Sequence, residues 1–106
     1  MTHKVIWREE AIADLKAIYV STADQANPDI ALRFVQRIEA AGEKLADYPD
    51  RGRRRDNIRP GMRSVPFRRA VTIFYAVDAD EVQIVRVIHA RRDASAAFQD
   101  NREELP

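Results

Sequence analysis

Residues 70–88 read AVTIFYAVDADEVQIVRVI, and this stretch decides the fold. It holds two runs rich in β-branched and aromatic residues, which favour strands. Asp78-Ala79-Asp80 between them has the composition of a turn. Because apolar residues fall on both faces of each run, we expect these strands to lie at the centre of a sheet. Just upstream, Met62–Pro66 is predicted to be an edge strand, since a proline cannot donate to an interior ladder.

The first half of the chain predicts a helical hairpin. Residues 9–24 carry apolar side chains at helical spacing, and residues 28–48 do so again. Asn27 and Pro28 between them are typical of an N-cap and a first helical position. Two amphipathic helices joined by so short a link form an antiparallel pair that needs an apolar surface to cover.

Two short elements complete the pattern, a first strand at Val5–Trp7 and a brief last helix from Asp93. The order β-α-α-β-β-β predicts an α+β fold, with an antiparallel sheet, an N-terminal helical hairpin on one face and a short C-terminal helix. We expect one domain over residues 1–106. Four aromatic residues fall on apolar faces and are predicted to be core: Trp7, Phe34, Tyr48 and Phe74.

Charge is distributed unevenly along the chain. Residues 51–69 hold eight arginines and one acid, Asp56, and a second basic cluster spans residues 86–92. Both ends of the chain are acidic, so the net charge of only +1 conceals a strongly positive region. Arginine outnumbers lysine by fifteen to three, which favours planar bidentate contacts with carboxylate or phosphate. A concentrated positive surface of this kind indicates an anionic partner.

Several classes of protein are excluded by composition. Cysteine is absent, which excludes disulfides and zinc–thiolate sites. No apolar run approaches the roughly 20 residues of a membrane helix, and the N-terminus lacks the apolar region of a signal peptide. No glycine-rich loop or metal-ligand spacing is present. We therefore expect a soluble cytoplasmic protein without cofactor or metal.

Five ordered motifs resemble the ParE/RelE superfamily of type II toxin–antitoxin toxins, and its ParE branch in particular. Arg8 departs from that pattern, because such chains carry a Ser or Thr helix cap there. The motifs are Ala11-x-x-Asp14-Leu15-x-x-Ile18-Tyr19, Asn27-Pro28-x-x-Ala31-x-x-Phe34-Val35, Leu45-x-x-Tyr48-Pro49-x-x-Gly52-Arg53, Arg59-Pro60-Gly61-Met62-Arg63 and Ile84-x-Arg86-Val87-x-His89-x-x-Arg92-Asp93.

The resemblance implies a toxin held inactive, in a hetero-oligomer, by a cognate ParD-like antitoxin. It also implies one of two activities. RelE-like toxins cut messenger RNA on the ribosome, whereas ParE-like toxins poison DNA gyrase. The residues themselves have to decide between these two activities.

RNA cleavage through the 2′-hydroxyl needs a general base, a general acid and cations near the phosphate. Lysine is absent after residue 44, and arginine stays protonated. His89 is then the one side chain of the basic half with an ordinary pKa near neutrality, while Tyr75 is predicted to be core. We therefore favour a gyrase inhibitor that is not an enzyme. The alternative is an endoribonuclease that uses Arg59, Arg63 and Arg68 as phosphate clamps and His89 as acid or base.

Two binding surfaces are predicted from the charges. The resemblance implies an antitoxin whose acidic segment binds Arg53, Arg59, Arg63 and Arg68. Target binding is assigned to His89, Arg91 and Arg92, although His89 also fits a strand-end histidine bonded to the chain. A solvated connector at residues 51–59 is disfavoured, because five arginines in nine residues repel one another. A structural RNA-binding protein is also disfavoured, because no aromatic stacking platform is visible.

Overall fold

The computed structural model describes residues 3–103, with side chains placed for residues 3–98. The predicted domain of residues 1–106 thus extends beyond the described residues at both ends. The elements are β1 (Lys4–Trp7), α1 (Glu9–Gln25), α2 (Pro28–Glu43), β2 (Arg53–Arg54), β3 (Met62–Phe67), β4 (Val71–Asp78), β5 (Glu81–His89) and α3 (Ala94–Glu103). Short 3-10 turns at Lys44–Ala46 and Pro49–Arg51 connect α2 to β2.

The sheet has the strand order β1-β5-β4-β3-β2. The predicted α+β architecture is confirmed, and three of the four strand pairings are antiparallel. The exception is β1, which lies parallel to β5 with Lys4 opposite Glu81. A parallel pair requires a long crossover connection, and here the helical hairpin and three strands supply it.

The prediction that Met62–Pro66 forms an edge strand is wrong. β3 has β4 on one side and the two-residue β2 on the other, so that β2 is the edge. The pairing with β2 covers only Arg63 and Ser64. Pro66 lies beyond it, where its missing N–H disrupts no ladder. The proline therefore marks the uncovered end of β3.

The helical hairpin covers one face of the sheet, as predicted. The Asn27 side chain accepts a hydrogen bond from the Ile30 N–H at 2.9 Å, which caps α2 in front of Pro28. Arg8 precedes α1 and makes no side-chain cap. The buried core between helices and sheet consists of Ala11, Leu15, Ile18, Ile38, Leu45, Val71, Ile73, Tyr75, Val82, Ile84 and Val87.

A second apolar cluster covers the opposite face of the sheet. Phe74 and Phe98 meet there edge to face, with ring centroids 5.3 Å apart. The predicted last helix is confirmed as α3, which contributes Phe98 and Ala97. The loop before β3 contributes Ile58. The sheet is thus packed on both faces, which explains the apolar residues on both faces of its central strands.

Three of the four predicted core aromatics contact the core, and Tyr48 does not. Phe74 is fully buried, and Trp7 and Phe34 are half-buried against the main core. Tyr48 is 69% exposed, so its prediction is wrong. The apolar spacing in the sequence continues past Glu43, but α2 ends there and the chain enters a 3-10 turn. Beyond that point the helical spacing no longer sets which side chains face inward.

Among the residues that the structure describes, no helix is long and apolar enough to cross a membrane.

Candidate functional site

Tyr75 fastens the start of the arginine-rich segment to the sheet. Its buried hydroxyl donates to the Pro49 carbonyl at 2.7 Å and accepts from the Gly52 N–H at 2.9 Å. Burial raises the pKa of Tyr75 above its ordinary value of 10.0, although the Gly52 N–H opposes this shift. With its donor and acceptor both engaged, this hydroxyl has a structural role and is not placed for proton transfer.

Arg63 holds the same segment from the neighbouring strand. It lies directly opposite Tyr75 in the β3–β4 register. Its Nη1 donates to the carbonyls of Asp50 at 3.2 Å and Gly52 at 2.9 Å. A guanidinium so occupied helps to anchor the loop, and only part of its donor capacity remains for a partner.

On the opposite face of the sheet, Arg55 and Arg59 stack on the second apolar cluster. The Arg55 guanidinium lies 5.2 Å from the Phe74 ring centroid, and the Arg59 guanidinium lies 4.9 Å from that of Phe98. Arg55 also donates to the Ser64 hydroxyl at 3.3 Å. These cation–π contacts cover the aromatic rings and fix the two arginines on the α3 side of the sheet.

Asp56 organises the loop between β2 and β3. Its carboxylate accepts from the Gly61 N–H at 2.8 Å and pairs with the Arg54 guanidinium at 2.9 Å. These contacts, the Gly61 hydrogen bond foremost, lower the pKa of Asp56 below its ordinary value of 3.8. Gly61 has φ +80°, a conformation that glycine adopts without strain. The one acid of the arginine-rich stretch therefore closes the loop.

The second basic cluster is smaller than the sequence predicts, because Arg86 is neutralised. Its Nε lies 2.7 Å from Asp14 Oδ2 in α1, and its Nη2 lies 3.0 Å from Oδ1. Both side chains are largely buried, at 9% and 16% exposure. The helical spacing of α1 could have indicated a buried partner for Asp14, since this residue lies within the inward-facing stripe of Ala11, Leu15 and Ile18.

The remaining basic residues gather at one end of the sheet. His89 pairs with Val71 at the end of the β4–β5 ladder, and the Ala90 N–H donates to the Ala70 carbonyl at 3.0 Å. The β3–β4 turn therefore lies beside the segment that follows β5. We call this surface the basic sheet end; it comprises the exposed residues Arg68, Arg69, His89, Arg91 and Arg92.

The His89 ring makes no hydrogen bond or ion pair to the part of the chain that the structure describes. The predicted bond between this strand-end histidine and the chain is therefore not seen within residues 3–98. The side chain borders a cavity of about 230 Å³ next to α1, together with Ser21 and Arg92.

Of the four residues of the nuclease alternative, Arg68 and His89 both belong to the basic sheet end, whereas Arg59 and Arg63 lie elsewhere. Arg63 lies on the helical side of the sheet, where its partners are Asp50 and Gly52. Arg68 stacks on Phe67 at 5.4 Å, on that same side. Arg59 lies on the opposite face, over Phe98. His89 stands at the sheet end beside α1. Arg59 thus lies across the sheet from Arg63 and Arg68, whereas cleavage of one scissile bond would need all of these groups around it.

A groove runs along α2 on the helical side. It consists of two cavities of about 450 and 370 Å³ that share Arg37. We call them together the hairpin groove; it is lined by the basic residues Arg33, Arg37, Lys44, Arg51 and Arg68 and by the apolar residues Ile30, Phe34, Leu45, Val65 and Phe67. Apolar side chains flanked by cations are complementary to an acidic amphipathic segment.

The four arginines predicted to bind an antitoxin have different relations to this groove. Arg68 lines it, and Arg53 and Arg63 lie on the adjacent strands β2 and β3. Arg59 faces the other side of the sheet. A single segment that contacted all four would have to pass around the β2 edge.

Known proteins are similar to this chain in sequence and in fold. The family model described as "ParE toxin of type II toxin-antitoxin system, parDE" matches residues 5–94. Toxin RelE2 of Caulobacter vibrioides is 37% identical over 91 residues, covering 84% of this chain and 97% of the relative. Toxin ParE1 of Mycobacterium tuberculosis is 32% identical over 94 residues, covering 88% and 95%.

A solved structure titled "Chromosomal ParDE TA system from P. aeruginosa" resembles the fold with a TM-score of 0.76 at 28% identity. The similarity covers 85% of this chain and 98% of that one. The motifs, the fold and these relatives agree: the chain belongs to the ParE toxin family of type II toxin–antitoxin systems.

Proposed function

We propose that this toxin inhibits DNA gyrase by binding it and does not itself cleave RNA. The names of its relatives include both RelE and ParE, so the choice of target rests on the site. The observation that carries the proposal is the separation of His89, Arg59, Arg63 and Arg68 over two faces and one end of the sheet.

Chemical reasoning supports the same conclusion. A nuclease needs a proton acceptor within hydrogen-bond reach of the attacking hydroxyl and a donor near the leaving oxygen. In the basic region, Tyr75 is buried and bonded to Pro49 and Gly52. His89 stands at the sheet end, while Arg55 and Arg59 are stacked on aromatic rings. The remaining cations can bind anions but do not exchange protons at neutral pH.

The test compares the two activities in one experiment. The toxin is expressed in bacteria, and plasmid supercoiling and messenger RNA integrity are followed together, with wild type beside His89→Gln. We expect plasmid supercoiling to change and messenger RNA to stay intact. The toxicity of His89→Gln should stay within a few-fold of that of the wild type. Cleavage of ribosome-bound messenger that disappears in His89→Gln would replace the inhibitor by the endoribonuclease.

The partner of the hairpin groove is proposed to be a ParD-like antitoxin. Support comes from the similar ParDE system of P. aeruginosa and from the chemistry of the groove. An acidic amphipathic segment would place apolar side chains over Phe34 and Phe67 and carboxylates on the cationic rim. Arg53, Arg59, Arg63 and Arg68 remain its proposed carboxylate contacts, and Arg33 and Arg37 extend this set along α2.

Antitoxin binding is tested by titrating the acidic protein encoded beside the toxin. The variant Arg37→Ala/Arg68→Ala removes two rim charges and leaves the loop between β2 and β3 intact. Lys4→Gln/Lys16→Gln removes the same charge from exposed sites outside the groove. If each buried pair contributes about 2 kcal/mol, the two losses add to about 4 kcal/mol, and the rim variant should bind roughly a thousandfold more weakly than the control, mainly through a faster off-rate. Equal dissociation constants would exclude the groove.

A further inference from the structure

The basic sheet end gathers four arginines and a histidine at the β3–β4 turn and at the end of β5. Arg68, Arg69 and Arg91 form no ion pair with any acid in the part of the chain that the structure describes. The nearest acid along the chain, Asp93, accepts from the Ser95 N–H at 3.0 Å and caps α3. Four arginines against this one neighbouring carboxylate give the surface a net positive charge.

Two of these arginines, Arg68 and Arg69, have a backbone conformation that residues other than glycine rarely adopt. Arg68 and Arg69 occupy the centre of a turn closed by the Ala70 N–H and the Phe67 carbonyl at 2.9 Å. Both have positive φ, at 51° and 60°. Two such residues in succession are typical of a type I′ turn, which favours Asn-Gly. Strained residues of this kind are typical of functional sites.

Exposed apolar side chains lie elsewhere. Among the described residues, the large hydrophobic side chains that are exposed all belong to residues 12–48, on the helical hairpin and just after it. A protein partner generally needs apolar or aromatic anchors. The groove offers Ile30 and Phe34, whereas Ile18, Val87 and Ile88, which line the cavity beside His89, are already buried within the fold. Charge without large exposed apolar side chains fits a phosphodiester backbone, whose affinity comes from cations that neutralise phosphates.

The geometry favours a duplex over a single strand. Single-stranded nucleic acid is held by aromatic rings on which its bases stack. The aromatic residue nearest in sequence, Phe67, lies under the Arg68 guanidinium and so offers no free platform on that face. Contact with the backbone alone is sequence-independent.

We infer that the basic sheet end binds the phosphodiester backbone of duplex DNA, with Arg69 and Arg91 as its central contacts and Arg68, His89 and Arg92 around them. The choice of DNA over RNA rests on the proposed gyrase function. The inference gives the predicted target-binding residues a ligand class and adds the β3–β4 turn to them. On this account, the toxin contacts the DNA that gyrase holds.

The experiment is fluorescence anisotropy with a short labelled DNA duplex at several salt concentrations. Arg69→Gly/Arg91→Gln removes two charges from the basic sheet end, and the glycine relieves the positive φ of the turn. Lys4→Gln/Lys16→Gln is the matched control. We expect the first variant to bind about tenfold more weakly at low salt and its log–log salt slope to fall by about 2. The control should change binding less than threefold. Equal losses in both variants would reduce the effect to net charge and overturn the inference.

Further measurements distinguish a failure of the DNA-binding inference from a failure of the proposed gyrase function. Tighter binding to an RNA duplex of the same sequence would overturn the assignment to DNA. A wild-type toxin that inhibits gyrase without binding duplex DNA would also overturn the inference, while the proposed function would stand. Binding to DNA that depends on Arg69 and Arg91, without any effect on gyrase, would support the surface and refute the proposed function.

Discussion

Asp14 in α1 serves as both an ion-pair partner for Arg86 and a hydrogen-bond acceptor at the edge of β5. Its Oδ2 accepts from Arg86 Nε at 2.7 Å and from the Val87 N–H at 2.9 Å. The register between β1 and β5 ends with Trp7 opposite Ile84, so this N–H lies past the end of β1. The Asp14 carboxylate of α1 thus accepts the β5 N–H that has no partner in β1, because β1 ends before it.

Breaking the pair between Asp14 and Arg86 should destabilise the fold strongly. Asp14→Ala leaves the buried guanidinium without an anion, at an expected cost of about 3–5 kcal/mol. Asp14→Leu/Arg86→Met should cost less than either single substitution, because it buries no charge. Arg86 Nη1 already lacks a hydrogen-bond partner among the described residues, so the pair is incompletely compensated. Urea unfolding of Asp14→Ala, of the double variant and of its two component single variants measures this, and additive losses would contradict it.

The contact between Tyr75 and Gly52 should behave as one coupled unit. Tyr75→Phe leaves the Gly52 N–H and the Pro49 carbonyl unpaired, and it should cost about 1–2 kcal/mol. Gly52→Ala should cost more, because its Cβ would meet the Tyr75 hydroxyl and approach Cε1 to 2.8 Å. In the Tyr75→Phe background, the loss from Gly52→Ala should shrink. A double-mutant cycle by urea unfolding that shows no coupling would rule out this role for the tyrosine.

Acid should loosen the loop between β2 and β3. The pKa of Asp56 is lowered in the folded state, chiefly by the Gly61 N–H. The native state therefore holds the proton less tightly than the unfolded chain does. The stabilisation is complete above the ordinary value of 3.8 and is lost as pH falls through the lower folded value. The Gly61 amide resonance, followed by NMR, should shift in that window in wild type and not in Asp56→Asn. An Asp56 that titrates at or above 3.8 would contradict this assignment.

Replacing the arginines of the β3–β4 turn should stabilise the protein. Left-handed backbone conformation costs a residue with a side chain roughly 1 kcal/mol or more, so Arg68→Asn/Arg69→Gly should raise the free energy of unfolding by about 1–2 kcal/mol. Arg68→Gln/Arg69→Gln removes the same charges and keeps the strain. Thermal unfolding of both variants separates the two causes. Equal gains would assign the effect to charge repulsion and not to the backbone.

Much of the fold could be predicted because local signals and packing agree. Asn27 and Pro28 marked the start of α2, and the apolar runs of residues 70–88 marked the central hairpin. The two-residue strand β2 could not be predicted, because Tyr75 and Arg63 hold its leading segment from distant positions. The parallel pairing of β1 with β5 likewise depends on tertiary packing, because the sequence of this four-residue strand does not specify its direction.

The site was less predictable than the fold. The sequence presents the arginines of residues 51–69 as one basic region, and the structure divides them between two faces and one end of the sheet. Arg59 and Arg63 are four residues apart, yet the turn at Gly61 sends them to opposite faces. Alternation along a strand can be predicted, but the path of an irregular loop depends on contacts that periodicity does not record.

The parallel pairing of β1 with β5 also has a consequence for the timing of folding. Asp14 and Arg86, which help to hold α1 against β5, are 72 residues apart in the chain. Contacts so distant require the closure of a long loop and tend to form late. During synthesis the helical hairpin leaves the ribosome well before the strands that it covers. The basic sheet end is assembled only after β5 and residues 91–92 have been synthesised, so a nascent chain that has formed only the helical hairpin lacks the surface proposed to bind DNA.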